Sequence, residues 1–273
     1  MRDSFDAQNQ QTAKKCKEQF EPLQSAAAVL GSGNPSCAPR SIAVCLALKE
    51  HAVTRTYAIP DLHGRCDLLD AAIERILDHS QGVAAKVVTL GDYIDRGSES
   101  RQVMERLVNW SSKALPLVAL KGNHEAMMWE CCKNVSEIGW WLKNGGDQTL
   151  LSYGECATEL TAVPAAHLDW IAQLPSMYVD EHRIFVHAGV DADLPLDHQS
   201  DQILLWKRYP DASKKGHGRH HVVHGHDAKP DGPILTKGRT NLDTLAWKTG
   251  RLAIGVFEDG IPGGPLEILE INC

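Results

Sequence analysis

Potential metal-ligand side chains follow three short apolar runs in the first half of the chain. They are Asp61 and His63, then Asp92, then Asn123, and the interval from Asp61 to Asp92 equals that from Asp92 to Asn123. Carboxylate, imidazole and carboxamide donors together suit Mn, Fe or Zn better than Ca. The segments that carry them are IPDLHGR (59–65), LGDYIDRG (90–97) and KGNHEA (121–126).

Two later segments add imidazoles at the ends of apolar runs. FVHAGV (185–190) contains His187, and VVHGHD (222–227) contains His224 and His226. A single histidine at the end of a strand is more often structural. Here two such strands are expected to end beside the other donor residues, which favours a role as metal ligands. On spacing alone, His224 and His226 remain alternatives.

The elements that must position these side chains form a strand-helix repeat. RTYAI (55–59), KVVTL (86–90) and LPLVAL (115–120) are continuous apolar runs typical of strands covered on both faces. Helices are predicted between them over 67–80, where Leu69, Ile73, Ile76 and Leu77 share one face, and over 98–110. The βαβαβ order brings the three loops to one edge of a parallel sheet.

The remaining segments predict a second layer. Residues 134–175 indicate a tryptophan-rich helical or irregular region, and short strands return after Pro175, spaced as in an antiparallel sheet that runs through RLAIGVF (251–257). The predicted fold class is α/β, a two-sheet α/β/α sandwich. We expect residues 1–54 to be a loosely structured extension, with a helix docked at 41–50 as one alternative, and 55–273 to be a single domain.

The amino-acid composition argues against several classes of protein. The 273 residues carry a net charge of -7, which argues against nucleic-acid binding, and 43% hydrophobic residues suit a protein with a sizeable core. There is no apolar run of about 20 residues, the membrane-span length, and the polar start MRDSFDAQNQ (1–10) does not resemble a secretory signal. We therefore expect a cytoplasmic protein without a membrane partner. None of the eight cysteines forms a C-x-x-C pair, which disfavours a zinc ribbon.

PDLHG, GDYIDRG, GNHE, VHAG and GHD together resemble the signature of the metallophosphoesterase superfamily. They look most like its phosphoprotein phosphatase branch, which includes the bacterial and bacteriophage lambda-type serine/threonine phosphatases. The resemblance covers about residues 55–260 and implies the calcineurin-like metallophosphoesterase fold, with 55–273 as the catalytic domain. Pro60 departs from the usual glycine, with an expected effect on loop stiffness only.

The resemblance also implies a role for each site residue. Asp61 and His63 would hold one divalent ion and Asp92 would bridge to a second, with Mn²⁺ favoured and Fe or Zn also compatible. The second ion would be held by Asn123, His187 and His226, the last preferred over His224 for its Gly-His position. His124 would be the general acid oriented by Asp95, Arg96 and Arg208 would bind the phosphate, and Glu125 would support the loop through hydrogen bonds.

The implied function is hydrolysis of phosphoserine and phosphothreonine in phosphoproteins or phosphopeptides by a hydroxide shared between the two ions. One alternative is a symmetrical dinucleoside tetraphosphate hydrolase, against which Asp95 and Glu125 argue, because both follow the protein phosphatase form. A second is a non-catalytic binding module with the same fold. Trp129 and the pair Trp140–Trp141 favour core packing, with a substrate cleft as the alternative. The oligomeric state is not indicated.

Overall fold

The computed structural model describes residues 55–154, 160–210 and 212–273, together with the backbone of Cys45–Leu46. Its strands are β1 (Cys45–Leu46), β2 (Arg55–Ile59), β3 (Ala85–Thr89), β4 (Leu117–Ala119), β5 (Met177–Val179), β6 (Arg183–Val186), β7 (His221–His224), β8 (Ile234–Leu235), β9 (Arg239–Asn241), β10 (Arg251–Glu258) and β11 (Glu267–Asn272). Its α-helices are α1 (Cys66–Ser80), α2 (Ser100–Val108), α3 (Asn123–Lys133), α4 (Ile138–Trp141), α5 (Asp147–Tyr153), α6 (Ala165–Gln173), α7 (Asp201–Trp206) and α8 (Ala246–Thr249).

The first sheet contains the predicted βαβαβ unit. Its order is β11-β10-β2-β3-β4, and β2, β3 and β4 run parallel with α1 and α2 as the crossovers. The strand predicted at RLAIGVF is β10, which pairs antiparallel with β2 in this sheet, so its assignment to the second sheet was wrong. The carboxyl ends of the three parallel strands consequently lie at one edge.

The second sheet is mixed, and the prediction of an antiparallel sheet was wrong. Its order is β1-β5-β6-β7-β9-β8, in which β6, β7 and β9 run parallel and only β5–β6 and β8–β9 pair antiparallel. The segment between β6 and β7 contains α7, and a connection of that length lets the chain cross over and return parallel. The two histidine-bearing loops therefore also follow the carboxyl ends of parallel neighbours.

The two sheets pack face to face, and helices cover their outer faces. In β2, Ala58 points between the sheets while Tyr57 and Ile59 belong to the cluster shared with α1 and α2, as the two-residue period of a strand requires. Phe185 of β6 meets Phe257 of β10 edge-on at 5.6 Å between ring centroids. Cutting either ring back to alanine should destabilise the protein by about 3–5 kcal/mol. The α/β two-sheet sandwich is thus confirmed.

Helix α1 differs from its prediction in the face that it buries. Leu68, Leu69, Ala72 and Ile76 are buried, whereas Leu77 is 50% exposed. The buried face is therefore rotated by about one residue, since α1 must cover both β2 and α2. In the tryptophan-rich region, α4 to α6 pack on the same core, and the side chain of Trp141 is completely buried.

The predicted extension, 1–54, lies outside the described residues except for Cys45–Leu46. These two residues form β1, which pairs parallel with β5, so at this point the chain is a strand and not the alternative helix over 41–50. The division at residue 54/55 stays a prediction. Among the described residues, no helix is both long and apolar enough to cross a membrane.

Candidate metal centre and active site

Five loops meet at the carboxyl edge of the parallel strands. Seven non-glycine residues in the described ranges have a positive φ, and five of them lie in these loops: His63, Asp92, Asp95, Arg96 and His226. Left-handed backbone costs free energy at such residues and persists only where the surroundings enforce it. The concentration of this strain marks the edge as a candidate functional site.

Asp92 is the residue that two donor groups share. Its Oδ2 lies 3.4 Å from His63 Nε2, and its Oδ1 lies 3.5 Å from His187 Nε2. Donors that bind one ion at about 2.0–2.2 Å sit at comparable distances from one another. Within the described ranges, the two groups able to hold a metal are His63, Asp92 and His124, and Asp92, His187 and His226.

The contact between His187 and Asn123 tests whether these residues fit a metal ion. His187 Nδ1 lies 2.9 Å from the carbonyl oxygen of Leu90 and must donate to it, which leaves a lone pair on Nε2. That Nε2 lies 2.8 Å from Asn123 Oδ1, a second acceptor. Two lone pairs at this distance repel each other unless a cation lies between them, so the donor set fits a metal ion.

His63 is prepared in the same way. Its Nδ1 donates to the Ile94 carbonyl at 2.8 Å, so its Nε2 is also a lone-pair donor for a cation. Here the cation is the Arg96 guanidinium, with Nη1 at 2.9 Å from His63 Nε2 and Nη2 at 3.1 Å from His124 Nε2. Burial, with nearby His124, lowers the pKa of His63, and burial beside His226 lowers that of His187, which keeps both rings neutral.

Asp61 is connected to the site by hydrogen bonds to the His226 loop and by its charge interactions with neighbouring carboxylates. Its two carboxylate oxygens accept the backbone N–H of His226 at 3.1 and 3.2 Å, which ties the first loop to the last. It is not in either of the two donor groups. Burial and the neighbouring Asp243 raise the pKa of Asp61, and burial and Asp61 in turn raise that of Asp92. Burial also raises the pKa of Asp243, to about 6. Three buried carboxylates of this kind call for positive charge at this place.

Glu125 holds the loop that carries Asp92, as the sequence predicted. Its Oε2 accepts the backbone N–H groups of Asp92 at 2.8 Å and Gly122 at 2.9 Å, and its Oε1 accepts that of Tyr93 at 2.8 Å. Gly122 also leaves the space that Asp92 needs, because a Cβ at this position would overlap Asp92 Oδ1. Helix α3 therefore begins against the Asp92 loop and presents Asn123 and His124 to it.

His124 and Asp95 form a buried pair beside the donor groups. His124 Nδ1 lies 2.6 Å from Asp95 Oδ2, which also accepts the indole N–H of Trp141 at 2.9 Å. Thr149 Oγ1 donates to Asp95 Oδ1 at 2.6 Å. Asp95 is 0% exposed and has no freedom to turn, so it fixes the His124 ring with Nε2 facing the centre. The contacts from Trp141 and Thr149 were not predicted, because no local spacing links them to Asp95.

The predicted ligand His226 lies in the buried site, whereas the predicted phosphate-binding residue Arg208 lies at its exposed margin. His226 lies beside Asp92, and burial and Arg208 lower its pKa to about 4, whereas His224 points away and accepts a hydrogen bond from Arg239 Nη1 at 3.1 Å. Arg208 is 63% exposed in its side chain and pairs with Asp227 at 2.8 Å. It is thus near the site and outside its buried part, and its phosphate-binding role stays a prediction.

Comparison with known sequences identifies a protein family that matches this chain. The sequence profile described as calcineurin-like phosphoesterase matches residues 54–256, well over half of the chain. One relative is a symmetrical bis(5'-nucleosyl)-tetraphosphatase of Actinobacillus succinogenes, 29% identical over 140 residues, which are 50% of this chain and 45% of the relative. Another is serine/threonine-protein phosphatase 2 of Escherichia coli, 32% identical over 105 residues, 37% of this chain and 42% of the relative. The matches span less than half the length of both relatives.

Solved structures agree in fold. A putative diadenosine tetraphosphatase matches with a TM-score of 0.55 and 21% identity over 80% of this chain and 93% of that protein. A cold-active protein-tyrosine phosphatase of a Shewanella species matches with a TM-score of 0.51 and 16% identity over 74% of this chain and 75% of that protein. At these identities the likeness concerns the fold alone.

Proposed function

Since the chain belongs to the calcineurin-like phosphoesterase family, we propose that it is a metal-dependent phosphatase that hydrolyses phosphoserine and phosphothreonine in proteins. The observation that carries this proposal is the buried His124–Asp95 pair beside Asp92. The alkoxide of serine or threonine is a strong base, and its departure requires a proton. A fixed imidazole with one nitrogen facing the centre is suited to supply it.

Two divalent ions would be held by the donors around Asp92. Asp61 and His63 would bind one, Asn123, His187 and His226 the other, with Asp92 shared between them. When bound, such a pair lowers the pKa of water and neutralises phosphoryl oxygens. Oxygen and imidazole donors together favour Mn²⁺, and Fe or Zn are also compatible.

Arg96 would bind the phosphoryl group. Its two Nη atoms already face His63 and His124. A metal ion at His63 would replace the first of these contacts, and a proton on His124 Nε2 would displace the second. The freed guanidinium offers two parallel N–H groups to two phosphate oxygens, which a lysine cannot match. Its backbone N–H is fixed at 3.1 Å from the Gly145 carbonyl, so the side chain swings from a rigid base.

His124 would hold the proton for the leaving oxygen at Nε2. Burial lowers the pKa of His124, and its Nδ1–H bond to Asp95 opposes this shift by stabilising the protonated ring that would exist before the proton is transferred. Asp95 is a positioning residue, since it contacts the ring and not the substrate. This division of roles is the reason to expect a large effect at His124 and a smaller one at Asp95.

A second candidate function is hydrolysis of a symmetrical dinucleoside tetraphosphate. The observation in its favour is the similarity to the A. succinogenes tetraphosphatase over half of this chain. That reaction breaks a phosphoanhydride, whose leaving group is far less basic than an alkoxide and depends less on a proton donor.

A side-by-side assay separates the two. Purified protein is loaded with Mn²⁺, Fe²⁺ or Zn²⁺ and offered a phosphoserine peptide and diadenosine tetraphosphate at equal concentrations. We expect higher kcat/KM for the peptide, and a loss of about 10²–10⁴ in its kcat for His124→Asn with unchanged metal content. A higher kcat/KM for the tetraphosphate contradicts the proposal, and metal binding without turnover of either indicates a binding module.

A further inference from the structure

Beside the donor groups, two tryptophans form a stacked pair that the proposed reaction does not use. Trp206, the last residue of α7, places its ring 6.2 Å from that of His226 at 82°. Trp140 of α4 packs against Trp206 in a tilted arrangement, with 5.5 Å between centroids and 30° between planes. We call Trp140 and Trp206 the tryptophan platform. It is a continuous aromatic path from a candidate metal ligand to the surface.

The outer member of the platform is open to solvent. Trp140 is 49% exposed, while Trp206 is half-buried against two of the hydrophobic clusters. The backbone at Trp140 is nevertheless fixed, because its neighbour Trp141 is fully buried and donates its indole N–H to Asp95, and Asn144 Nδ2 donates to the Trp140 carbonyl at 2.8 Å. A large apolar ring that stands on an ordered backbone and is about half exposed offers a surface on which another aromatic ring can pack.

We infer that the tryptophan platform selects phosphoprotein substrates that carry an aromatic side chain one or two residues from the phosphorylated serine or threonine. The inference rests on the proposed function and names the substrate class of the same site. It separates the two sequence-based alternatives for the tryptophans, since Trp141 belongs to the core and Trp140 to the substrate side.

The position of the platform argues for a neighbouring side chain. A phosphotyrosine ring is bonded to the phosphate oxygen and would stay close to the donor groups. The Trp140 ring lies 5.5 Å from the Trp206 ring, which itself lies 6.2 Å from the ring of His226, both measured between centroids. An extended peptide advances about 3.3–3.6 Å per residue, so a side chain one or two residues away covers this distance. A nucleobase could stack as well, but the His124–Asp95 pair favours an alkoxide leaving group.

The expected size of the effect follows from aromatic stacking. A packed pair of aromatic side chains contributes about 0.5–1.5 kcal/mol, which corresponds to about 2- to 10-fold in affinity. Because the platform holds the substrate and does not touch the reacting atoms, the effect should fall on KM more than on kcat.

The test uses four alanine-based phosphoserine peptides and the Mn²⁺-loaded full chain. Each peptide carries one phenylalanine, one or two residues before or after the phosphoserine, and an all-alanine peptide is the reference. For the wild type we expect kcat/KM to rise about 2- to 10-fold with phenylalanine in at least one position. In Trp140→Ala this ratio should fall to about one, and in Trp140→Phe most of it should remain.

A matched control is Leu77→Ala in α1, which truncates an apolar side chain of similar exposure, 50%, remote from the site in the fold. It should keep the wild-type ratio. Circular dichroism and metal content check that each variant is folded and loaded. A ratio of one in the wild type, or an unchanged ratio in Trp140→Ala, refutes the inference alone.

Two further outcomes would also overturn the inference. If the wild type hydrolyses none of the phosphopeptides with any metal, the proposed function fails and the inference fails with it. If diadenosine tetraphosphate is hydrolysed and only its kcat/KM falls in Trp140→Ala, the platform binds a nucleobase and the peptide assignment is overturned.

Discussion

Replacing Asp95 with asparagine tests the His124–Asp95 pair with little disturbance of the fold. The asparagine Oδ1 can accept the bonds that now reach Asp95 Oδ2 from His124 and Trp141. Its Nδ2 can donate to Thr149 Oγ1, which in turn lies 3.2 Å from Ser100 Oγ and can donate there. Each existing hydrogen bond then keeps a partner, and the substitution removes the buried negative charge while adding one further N–H group on Nδ2.

The magnitude follows from that lost charge. A hydrogen bond to a charged group is worth about 1.5–3 kcal/mol and a neutral one about 0.5–1.5 kcal/mol. Protonated His124 should therefore lose roughly 1–2 kcal/mol of stabilisation, which corresponds to about 5- to 30-fold in kcat for a substrate that needs the proton. The loss should be smaller than the roughly 10²–10⁴ expected for His124→Asn, which removes the donor itself.

The assay compares leaving groups. We expect Asp95→Asn to lower kcat for phenyl phosphate by the full factor and for p-nitrophenyl phosphate by much less, because nitrophenolate leaves without help. Asp95→Asn added to His124→Asn should have almost no further effect, as expected when one residue acts through another. Equal losses for both esters, or additive losses in the double variant, would refute the pairing of roles.

Three other predictions concern the donors and the phosphate contact. Asp92→Asn should weaken binding of both ions together, by metal analysis after gel filtration, and loss of only one would contradict its shared position. Arg96→Lys keeps the charge but not the fork, so kcat/KM should fall about 10- to 100-fold; an unchanged kcat/KM removes Arg96 from the site. Gly225→Ala should lower metal affinity about 10- to 100-fold, because the alanine Cβ would overlap Asp61 Oδ1. The control is Gly260→Ala, whose added Cβ has no atom within 4 Å, and it should match the wild type in metal titrations.

The carboxyl edge of the first sheet could be predicted because its signals are local. Apolar runs, turn residues and equal intervals placed Asp92 between Asp61 and Asn123, and parallel strands necessarily bring such loops to one edge. The direction of the strands in the second sheet could not be predicted in this way. It depends on how the segment around α7 crosses over, and short strands with turn residues between them look the same in either direction.

Within the site, contacts between distant segments escaped prediction. Thr149 and Trp141 contact Asp95 because of the way α4 and α5 pack in the fold, and no spacing in the sequence predicts these contacts. Trp140 and Trp206 share no local pattern, yet their rings stack. Residue types and spacing indicated the kind of chemistry, whereas the side chains that orient it or face the substrate depend on packing.

We expect Asp92 to join two adjacent cations in one centre. Electron paramagnetic resonance of the protein loaded with two equivalents of Mn²⁺ addresses it most directly. We expect the spectrum of an exchange-coupled Mn²⁺ pair in the wild type and the signal of isolated ions in Asp92→Asn. Isolated-ion signals in the wild type at full loading would contradict it.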